Sequence, residues 1–477
     1  MSRYKRYERY KDSGVEWIGE IPEHWGVSKI KFTTYVKGRI GWQGLRADEF
    51  IDEGPYLVTG TDFIDGLVNW DSCYHISMER YNEAPPIQLR ENDLLITKDG
   101  TIGKVAIVKN KPKYAILNSG IFVTRPQNSA YLTEFMYWIL NSQVFNRFIE
   151  YMSLGSTIVH LYQQTFENFS FPITNLNEQK TIVDFLNKKT SEIDDLIADK
   201  ERLIELLQEK RQAIITEAVT KGLNPNVRMK DSGIEWIGEI PEHWELNKLK
   251  YVIRNGKEGI KIGPFGSSLK LDDMDESNPY KVYGQENIIN NDFTRGNRFI
   301  TQEKFNEMCG YQLFSGDIVI SMMGTIGKCK VIPLGIQPGI MDSHLIRLRT
   351  NNGVMLPKFL EYLIDNTNYV KEQMNYMSKG SIMSGLNSSI IKEIILVIPS
   401  VVEQKEIIDF LEQKTAEIDD LVTKIKIQIQ KLKEYRQSLI SEAVTGKIDV
   451  RVFENKDEVI YSEQDSSPCR ELTHVAE

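Results

Sequence analysis

The sequence is poor in cysteine and has no long apolar run. Its four cysteines, Cys73, Cys309, Cys329 and Cys469, lie far apart without a C-x-x-C spacing. This argues against a zinc site and favours a reducing compartment. No apolar run reaches the roughly 18 residues that a membrane span needs. The basic N-terminus lacks the apolar segment of a signal peptide, so we expect a cytoplasmic protein.

Motifs of the common enzyme classes are also missing. There is no strand-linked G-x-G-x-x-G, H-E-x-x-H, nucleophile elbow, kinase signature set or N/D-P-P-aromatic loop. Only six histidines occur, and His24 and His243 stand beside Trp25 and Trp244, which favours a packing role. The sequence therefore predicts no catalytic residue, no metal ligand and no cofactor in this chain.

The charge balance is acidic, with a net charge of −9. Much of the excess lies in residues 448–477, which carry eight acidic and three basic side chains and few aromatics. Such a tail is expected to be flexible. A nucleic-acid binder needs a basic surface and not a basic total, so the charge neither supports nor excludes DNA.

The chain contains a tandem duplication. KDSGVEWIGEIPEHW at residues 11–25 returns as KDSGIEWIGEIPEHW at 230–244. Four further segments recur after 224 or 225 residues: GTIGK at 100–104, EQKTIVDFL at 178–186, KTSEIDDLI at 189–197 and EKRQAIITEAVT at 209–220. This spacing indicates duplication of a whole structural unit and not a short solenoid repeat.

Between these landmarks the two halves diverge. Residues 38–90 scarcely resemble residues 257–313. Two interpretations stay open here. The halves are similar units that recognise different things, or exposed loops have drifted.

Each half ends in a heptad pattern that predicts a coiled-coil helix of about 40 residues, roughly 60 Å long. The apolar heptad positions are Leu186, Ile193, Leu207 and Ile214 in the first half, and Leu411, Ile418, Ile425, Leu432 and Leu439 in the second. Lys200 interrupts the first stripe, and Leu421, Val422 and Ile429 extend the second. Capping boxes at Asn175–Glu178 and Ser400–Glu403 mark the starts, and Gly222 and Gly446 the ends. The helices are expected to pair with each other, although each could instead pack on its own half.

We predict a mixed α+β fold with two tandem globular domains and two long helices in an antiparallel coiled coil, related by a pseudo-two-fold repeat. The predicted boundaries are 1–174 and 223–399 for the globular domains, 175–222 and 400–447 for the helices, and 448–477 for the tail.

Polar side chains in the divergent segments and loops are candidate DNA contacts. The GTIGK loops suit a polynucleotide backbone, although a simple glycine hairpin is an equal alternative. The candidates are Gln43, Arg46, Thr59, Lys98, Thr101, Lys104, Ser156, Lys261, Ser267, Ser268, Lys270, Gln285, Asn287, Thr325, Lys328 and Ser381. Arg39, Asn69, Lys257 and Arg295 lie in the same divergent segments.

The combination resembles the specificity subunit of type I restriction–modification systems. The likeness rests on the tandem order, on the D-(L/I)-x-I-(T/S)-x-x-G-T-I-G-K passages, on the E-Q-K-x-I-x-x-F-L…E-I-D-D-L passages, and on KIGPFGSSLK. The resemblance implies a prokaryotic, non-catalytic target-recognition protein. Each half would recognise one part of a bipartite double-stranded DNA target, and the helices would set the spacing.

The resemblance also implies partners. Two modification subunits would bind S-adenosylmethionine and methylate adenine, and motor-nuclease restriction subunits would use ATP and Mg. Two other classes remain to be compared with this one: a methyltransferase or nuclease fused to its own reader, and a coiled-coil scaffold without a DNA role.

Overall fold

The chain packs as two compact units. The computed structural model describes residues 4–39, 45–152, 160–265, 268–322, 327–378 and 387–451. The first unit combines residues 1–200 with 427–477, and the second unit comprises residues 201–426. None of the helices in these described ranges is long and apolar enough to cross a membrane.

The first unit holds a six-stranded sheet of order β4-β12-β9-β10-β7-β6 and a three-stranded sheet of order β11-β5-β8. Its strands are β1 (Tyr10–Asp12), β2 (Glu20–Pro22), β3 (Gly26–Lys29), β4 (Thr34–Gly38), β5 (Ile51–Val58), β6 (Phe63–Ile64), β7 (Leu67–Val68), β8 (Tyr74–His75), β9 (Leu94–Thr97), β10 (Val105–Ile107), β11 (Ala115–Leu117), β12 (Ile121–Pro126) and β13 (Ser170–Ile173). Its helices are α1 (Ile30–Thr33), α2 (Met78–Asn82), α3 (Thr133–Leu140), α4 (Gln143–Met152), α5 (Gln163–Glu167) and the start of α6 (Leu176–Lys221).

The second unit holds a four-stranded sheet of order β17-β23-β20-β21 and a three-stranded sheet of order β19-β18-β22. Its strands are β14 (Met229–Asp231), β15 (Glu239–Pro241), β16 (Glu245–Lys248), β17 (Ile260–Ile262), β18 (Tyr280–Tyr283), β19 (Phe299–Ile300), β20 (Ile318–Ser321), β21 (Cys329–Val331), β22 (Gly339–Met341), β23 (Leu345–Leu348) and β24 (Ile395–Ile398). Its helices are α7 (Gln285–Ile289), α8 (Gln302–Glu307), α9 (Pro357–Asn366), α10 (Asn368–Ser378), α11 (Ser388–Glu393) and the start of α12 (Val401–Val444).

The apolar runs before the GTIGK segments form the central strands of both units. All four residues of β9 and all four of β20 are buried. Each strand has a hydrogen-bonded neighbour on both sides. Because successive side chains point to opposite faces of a sheet, burial of all four residues means that both faces are covered, which explains a continuous apolar run in place of alternation. The predicted mixed fold class is confirmed.

The helical periodicity at residues 130–148 and 357–370 indicated one helix each, but the structure has two in each place. The buried Ser142 separates α3 from α4: its hydroxyl donates to the Ile139 carbonyl at 2.7 Å and accepts from the Val144 amide at 3.2 Å. Thr367 separates α9 from α10 with an extended backbone. Local side-chain hydrogen bonds compete with helix continuation at such residues.

A duplicated polar hub fixes the start of each long helix. In the first unit, Glu178 accepts from the Tyr7 hydroxyl at 2.8 Å and pairs with His24 Nε2 at 3.1 Å. In the second unit, Glu403 pairs with His243 Nε2 at 2.7 Å and accepts from Trp244 Nε1 at 3.2 Å. The two histidines are therefore hydrogen-bonding partners of the helix and not only packing residues.

The neighbouring glutamines complete each hub. Gln179 accepts from the Leu132 amide at 2.9 Å and donates to the Thr174 carbonyl at 2.7 Å. Gln404 accepts from the Leu356 amide at 2.8 Å and donates to the Val354 carbonyl at 2.8 Å. Both glutamines are fully buried, so the repeated E-Q pair ties each helix to the globular fold before it.

Burial of Glu178 opposes its ionisation, yet hydrogen bonds from Thr174, Tyr7 and His24 outweigh burial and hold its pKa below the ordinary value. The pKa of Glu403 is lowered in the same way, against burial, by His243, Trp244 and Ser400. Because a lowered pKa in the folded state favours the carboxylate, this contribution to stability is present above about pH 4 and is lost in more acidic solution.

The predicted helix ends are confirmed. Asn175 Oδ1 accepts from the Glu178 amide at 3.0 Å, and Ser400 Oγ accepts from the Glu403 amide at 3.3 Å. Gly222 follows α6 with φ +77°, and Gly446 follows α12 with φ +67°. That left-handed conformation favours glycine and ends the helix.

The helices run antiparallel in each unit. In the first unit, Arg436 pairs with Asp194 at 2.9 Å, and Lys200 Nζ donates to Gln428 at 2.7 Å. Residue numbers therefore increase along one helix as they decrease along the other, which is the antiparallel arrangement. The second unit repeats the ion pair with Arg211 and Asp419 at 3.3 Å. Asp194 and Asp419 are exposed to solvent and also pair across to the other helix.

The heptad prediction agrees with the observed burial. Of the nine predicted apolar positions, six are buried and Leu207, Ile214 and Leu432 are half-buried. The prediction for Leu421 was wrong, since it is exposed. The second core position lies four residues after the first, at Thr415, Val422 and Ile429, so Leu421 falls outside the seam.

We predict that Leu439→Asp lowers the free energy of unfolding by about 3 kcal/mol or more, because it places a charge in the seam. Leu439 is 2% exposed. Ile427, on the same helix and in the same unit, is 51% exposed. Ile427→Asp is the matched control and should change stability by about 0.5 kcal/mol or less. Urea unfolding followed by circular dichroism would measure both, and equal midpoints would contradict the seam.

Candidate DNA-binding surface

The GTIGK segment of the first unit is a hairpin loop between β9 and β10. The buried Thr97 organises it: its hydroxyl hydrogen-bonds the Thr101 carbonyl and accepts from the Lys104 amide at 3.0 Å. The Gly103 amide donates to the Thr97 carbonyl at 3.0 Å. The Gly103 and Lys104 amides are thus bonded within the loop and are not offered to a polynucleotide backbone, which favours the glycine hairpin for these two groups.

The side chains of this loop face outward instead. Thr101 and Lys104 are exposed, and Lys104 Nζ lies 3.4 Å from the Gly60 carbonyl oxygen. Lys98 Nζ lies 5.1 Å from the Phe122 ring centroid. The loop thus presents two ammonium groups and one hydroxyl near one end of the central sheet.

The equivalent loop of the second unit differs in its lysine. The Gly327 amide donates to the Ser321 carbonyl at 3.2 Å, as Gly103 does to Thr97, and the Ser321 amide donates to the Lys328 carbonyl at 2.8 Å. Lys328 Nζ, however, pairs with Asp365 at 3.0 Å, and that carboxylate is buried. Lys104 and Lys328 therefore differ in their surroundings, because Lys328 already serves an internal ion pair, and their role as phosphate contacts stays a prediction.

The second unit contains a basic groove of about 1000 Å³ beside β17. Its lining, among the described residues, includes basic side chains from two parts of the sequence and no carboxylate. The basic residues are Lys250, Arg254, Lys257, Lys261 and Lys392. Lys261 Nζ lies 4.7 Å from the Tyr311 ring centroid, a cation–π contact that positions it. Phe265 stands exposed among the lining residues. This surface attracts an anionic, extended ligand.

Sequence reasoning had singled out Lys257 and Lys261 but missed Lys250, Arg254, Lys392 and Phe265. Arg254 stands three residues before Lys257, so the local density of basic residues was a usable signal. Lys392 lies more than a hundred residues later, and no sequence signal connected it to the groove. The charge of Lys250 is partly neutralised, because its ammonium group pairs with Glu393 at 2.9 Å.

The remaining predicted contacts have varied surroundings. Asn287 is buried. Its side-chain Oδ1 accepts from the Gly284 amide, and its Nδ2 donates to the Asp292 and Arg295 carbonyls. It builds its loop, and its prediction as a DNA contact is not supported. Arg39 is also buried, and its Nε donates to the Leu117 carbonyl. Desolvation lowers the pKa of Arg39 to about 10.

Local contacts describe the others. Thr59 is half-buried, and its hydroxyl donates to Asp62 at 2.9 Å. Gln285 is half-buried at the start of α7. Arg46, Ser268 and Lys270 are exposed. The predictions for Gln43, Ser156, Ser267, Thr325 and Ser381 lie outside the described residues.

The model of the type I restriction modification DNA specificity domain matches residues 44–206 and again residues 260–431. The two matches together cover more than half of the sequence. The chain belongs to the type I restriction modification DNA specificity family. Each match contains one GTIGK loop and reaches into one long helix. Across the described residues, no group of three or more His, Cys, Asp or Glu side chains is arranged to hold a metal ion.

Individual relatives agree along nearly their whole length. The chain is 26% identical to the type I restriction enzyme MjaVIII specificity subunit of Methanocaldococcus jannaschii, over 90% of this chain and 94% of the relative. It is 21% identical to the type I restriction enzyme EcoKI specificity subunit of Escherichia coli K12, over 95% of each. A solved chain from work on complex assembly and conformational transition of the type I R–M system superimposes with a TM-score of 0.66 at 14% identity, covering 90% of this chain and 99% of that one. That likeness shows the fold.

We predict that Lys328→Ala lowers stability while Lys104→Ala does not. Removing Lys328 takes one cation from the buried Asp365, which keeps only Lys330 at 3.3 Å. A loss of about 1 kcal/mol should lower the melting temperature by roughly 2–4 °C in a domain of this size. Differential scanning calorimetry of both variants tests this. Equal melting temperatures would show that the ion pair contributes nothing.

Proposed function

We propose that this chain is the DNA sequence-specificity subunit of a type I restriction–modification complex, that each half recognises one part of a bipartite double-stranded target, and that the chain itself is not catalytic. The observation that carries the proposal is the pair of family matches, one for each reader, which contain most of the divergent segments 38–90 and 257–313. Different interiors suit different half-sites, so the target need not be palindromic.

The basic groove supports DNA as the ligand of the second reader. The groove has five basic side chains, whereas the whole chain has a net charge of −9. The overall charge gives little non-specific attraction to DNA, and the local cations concentrate that attraction on one surface. Lys and Arg contacts to phosphates would fix the register of the protein on the duplex.

Base recognition needs polar side chains held in place near the groove floor. Lys261 meets this requirement, because the Tyr311 ring positions its ammonium group. Bidentate or charged contacts of this kind discriminate between base edges in the major groove. Gln285 offers an amide at the start of α7, half-buried and therefore restricted in its orientations.

The partners are proposed from the family. Two modification subunits would supply S-adenosylmethionine and transfer its methyl group to adenine, and motor-nuclease subunits would supply the ATP- and Mg-dependent steps. The helices would dock the modification subunits. What the duplication preserves in this chain is hub, seam and loop residues, which build and position the readers.

We predict that the purified chain neither methylates nor cleaves DNA. Addition of its modification subunit should give S-adenosylmethionine-dependent methylation of adenines within one bipartite sequence, identified by methylation-sensitive sequencing. The same preparation lacking the specificity chain is the control. Methyl transfer by the chain alone would overturn the non-catalytic assignment, and methylation without sequence preference would overturn its role as the reader.

We predict that Arg254→Ala and Lys257→Ala, each in the assembled complex, weaken binding about equally for all sequences. Each change should reduce the slope of log affinity against log salt by about 1, as loss of one phosphate contact does. Lys261→Ala should instead alter preference within one half-site. Lys424 is an exposed helix lysine that pairs with Asp420, and Lys424→Ala is the matched control. Fluorescence anisotropy over a salt series measures all four, and an unchanged slope in the groove variants would exclude the groove as the phosphate-binding surface.

A further inference from the structure

The two units share an aromatic pair at the surface that belongs to neither the hubs, the seams nor the groove. In the first unit the ring centroids of Trp17 and Tyr151 are 5.5 Å apart with an interplanar angle of 51°. In the second unit those of Trp236 and Tyr376 are 6.0 Å apart with an angle of 46°. The tryptophans belong to the repeated WIGEIPEHW, and the tyrosines open the repeated Y-M-S-x-G-S.

Three of the four rings are exposed, and Trp17 is half-buried with its Nε1 donating to the Ser170 carbonyl at 2.9 Å. Tyr151 is 46% exposed, Trp236 is 44% exposed and Tyr376 is 71% exposed. Single exposed aromatics are ordinary on a protein surface. The same pair recurs in a similar geometry in both units, and its members lie in the repeated segments and not in the divergent ones. Other repeated residues, such as Trp25 and Trp244, are buried and are explained by packing.

A rigid platform carries each tryptophan. Trp17 lies in the loop between β1 and β2, where the Ser13 amide donates to the Gly19 carbonyl at 3.1 Å. Trp236 lies in the loop between β14 and β15, where the Ser232 amide donates to the Gly238 carbonyl at 3.0 Å. The tyrosines stand near the C-terminal ends of α4 and α10. Both elements are tied into the fold, so the pairs are preorganised for binding.

We propose that each Trp–Tyr pair is a docking surface for one modification subunit, so that the chain carries two copies of one protein-binding site. The inference rests on the proposed function, which supplies two identical partners. A surface that is the same in both halves suits a ligand that is the same for both halves. The divergent segments suit half-sites that differ. Tryptophan and tyrosine are the side chains most enriched among residues that dominate protein–protein binding energy.

Charge favours a protein partner over the DNA backbone. The hollow of about 330 Å³ beside Trp17 is lined by Glu16 and Glu150 as well as Arg147 and Tyr151. In the second unit, Glu235 precedes Trp236, and Glu372 stands four residues before Tyr376 on α10, one helical turn away. The carboxylates are exposed in both units and repel phosphates. The complementary partner surface is apolar with a basic rim.

The test uses the full chain and the modification subunit of the same system, without DNA. Native mass spectrometry gives the number of bound modification subunits, and biolayer interferometry gives their affinity. Wild-type chain should bind two. Tyr151→Ala and Tyr376→Ala should each weaken one of the two binding steps about tenfold or more, and the double variant should lose both. Tyr151→Phe and Tyr376→Phe, which keep the ring, should bind like wild type.

Tyr251 offers a matched control. It is 61% exposed in the second unit and belongs to neither pair, so Tyr251→Ala should bind two modification subunits with unchanged affinity. Circular dichroism and thermal melting confirm that each variant is folded. Because the two tyrosines are exposed, their replacement should leave the melting temperature unchanged.

A second measurement detects contact directly. A photoactivatable benzoylphenylalanine replacing Tyr376 should cross-link to the modification subunit in the assembled complex. Cross-linking to DNA alone, or weaker DNA binding with both modification subunits retained, would assign the surface to the DNA backbone and overturn the proposal. Two subunits bound at full affinity to the double variant would overturn it while leaving the proposed function intact. Failure of the wild-type chain to bind any modification subunit would overturn both.

Discussion

The fold of each unit depends on a carboxylate and an amide in the first turn of a long helix. Glu178 and Glu403 are ionised beneath a histidine, and Gln179 and Gln404 are buried with their amides bonded to the backbone of the preceding globular fold. Losing one partner would leave a buried polar group unsatisfied, which costs about 1–3 kcal/mol. These bonds hold the start of each long helix in a fixed direction relative to the sheets of its own unit. This is why the sequence could diverge in the readers while EQK and IPEHW stayed nearly fixed.

The internal repeat separates two kinds of surface within one molecule. Where the halves agree and the side chains are buried, the cause is packing, as for the hub glutamines and the apolar seam. Where they agree at the surface, as in the Trp–Tyr pairs, our proposal is a partner that binds twice. Where they disagree, as in the groove beside β17, our proposal is a DNA half-site that differs between the halves. Comparison of the two halves of the chain therefore separates the shared surfaces from those that differ.

Local patterns predicted what local physics determines. The heptads predicted the two long helices, because buried positions along a helix seam recur at a fixed spacing. The capping boxes predicted where these helices start. Leu421 was misplaced because the spacing alone does not say which neighbour completes the seam. The single helix predicted over residues 130–148 failed at Ser142, where one hydroxyl satisfies the broken turn. The groove could not be predicted in full, because Lys392 joins Arg254 only through tertiary folding. Asn287 and Lys328 looked free in sequence and have internal partners in the structure.

The first unit joins segments that lie far apart in the sequence. The Asp449 amide donates to the Lys5 carbonyl at 2.8 Å, and the Tyr10 hydroxyl donates to the Gly446 carbonyl at 2.9 Å. During synthesis from the N-terminus, the segment that completes the first unit therefore emerges only after the whole second unit. The second unit is one continuous stretch, residues 201–426, and has all its residues earlier. The first unit is therefore begun before the second unit and completed after it. Until then the apolar face of its α6 segment lacks its partner helix, and exposed apolar faces of this kind make a nascent chain prone to misassembly.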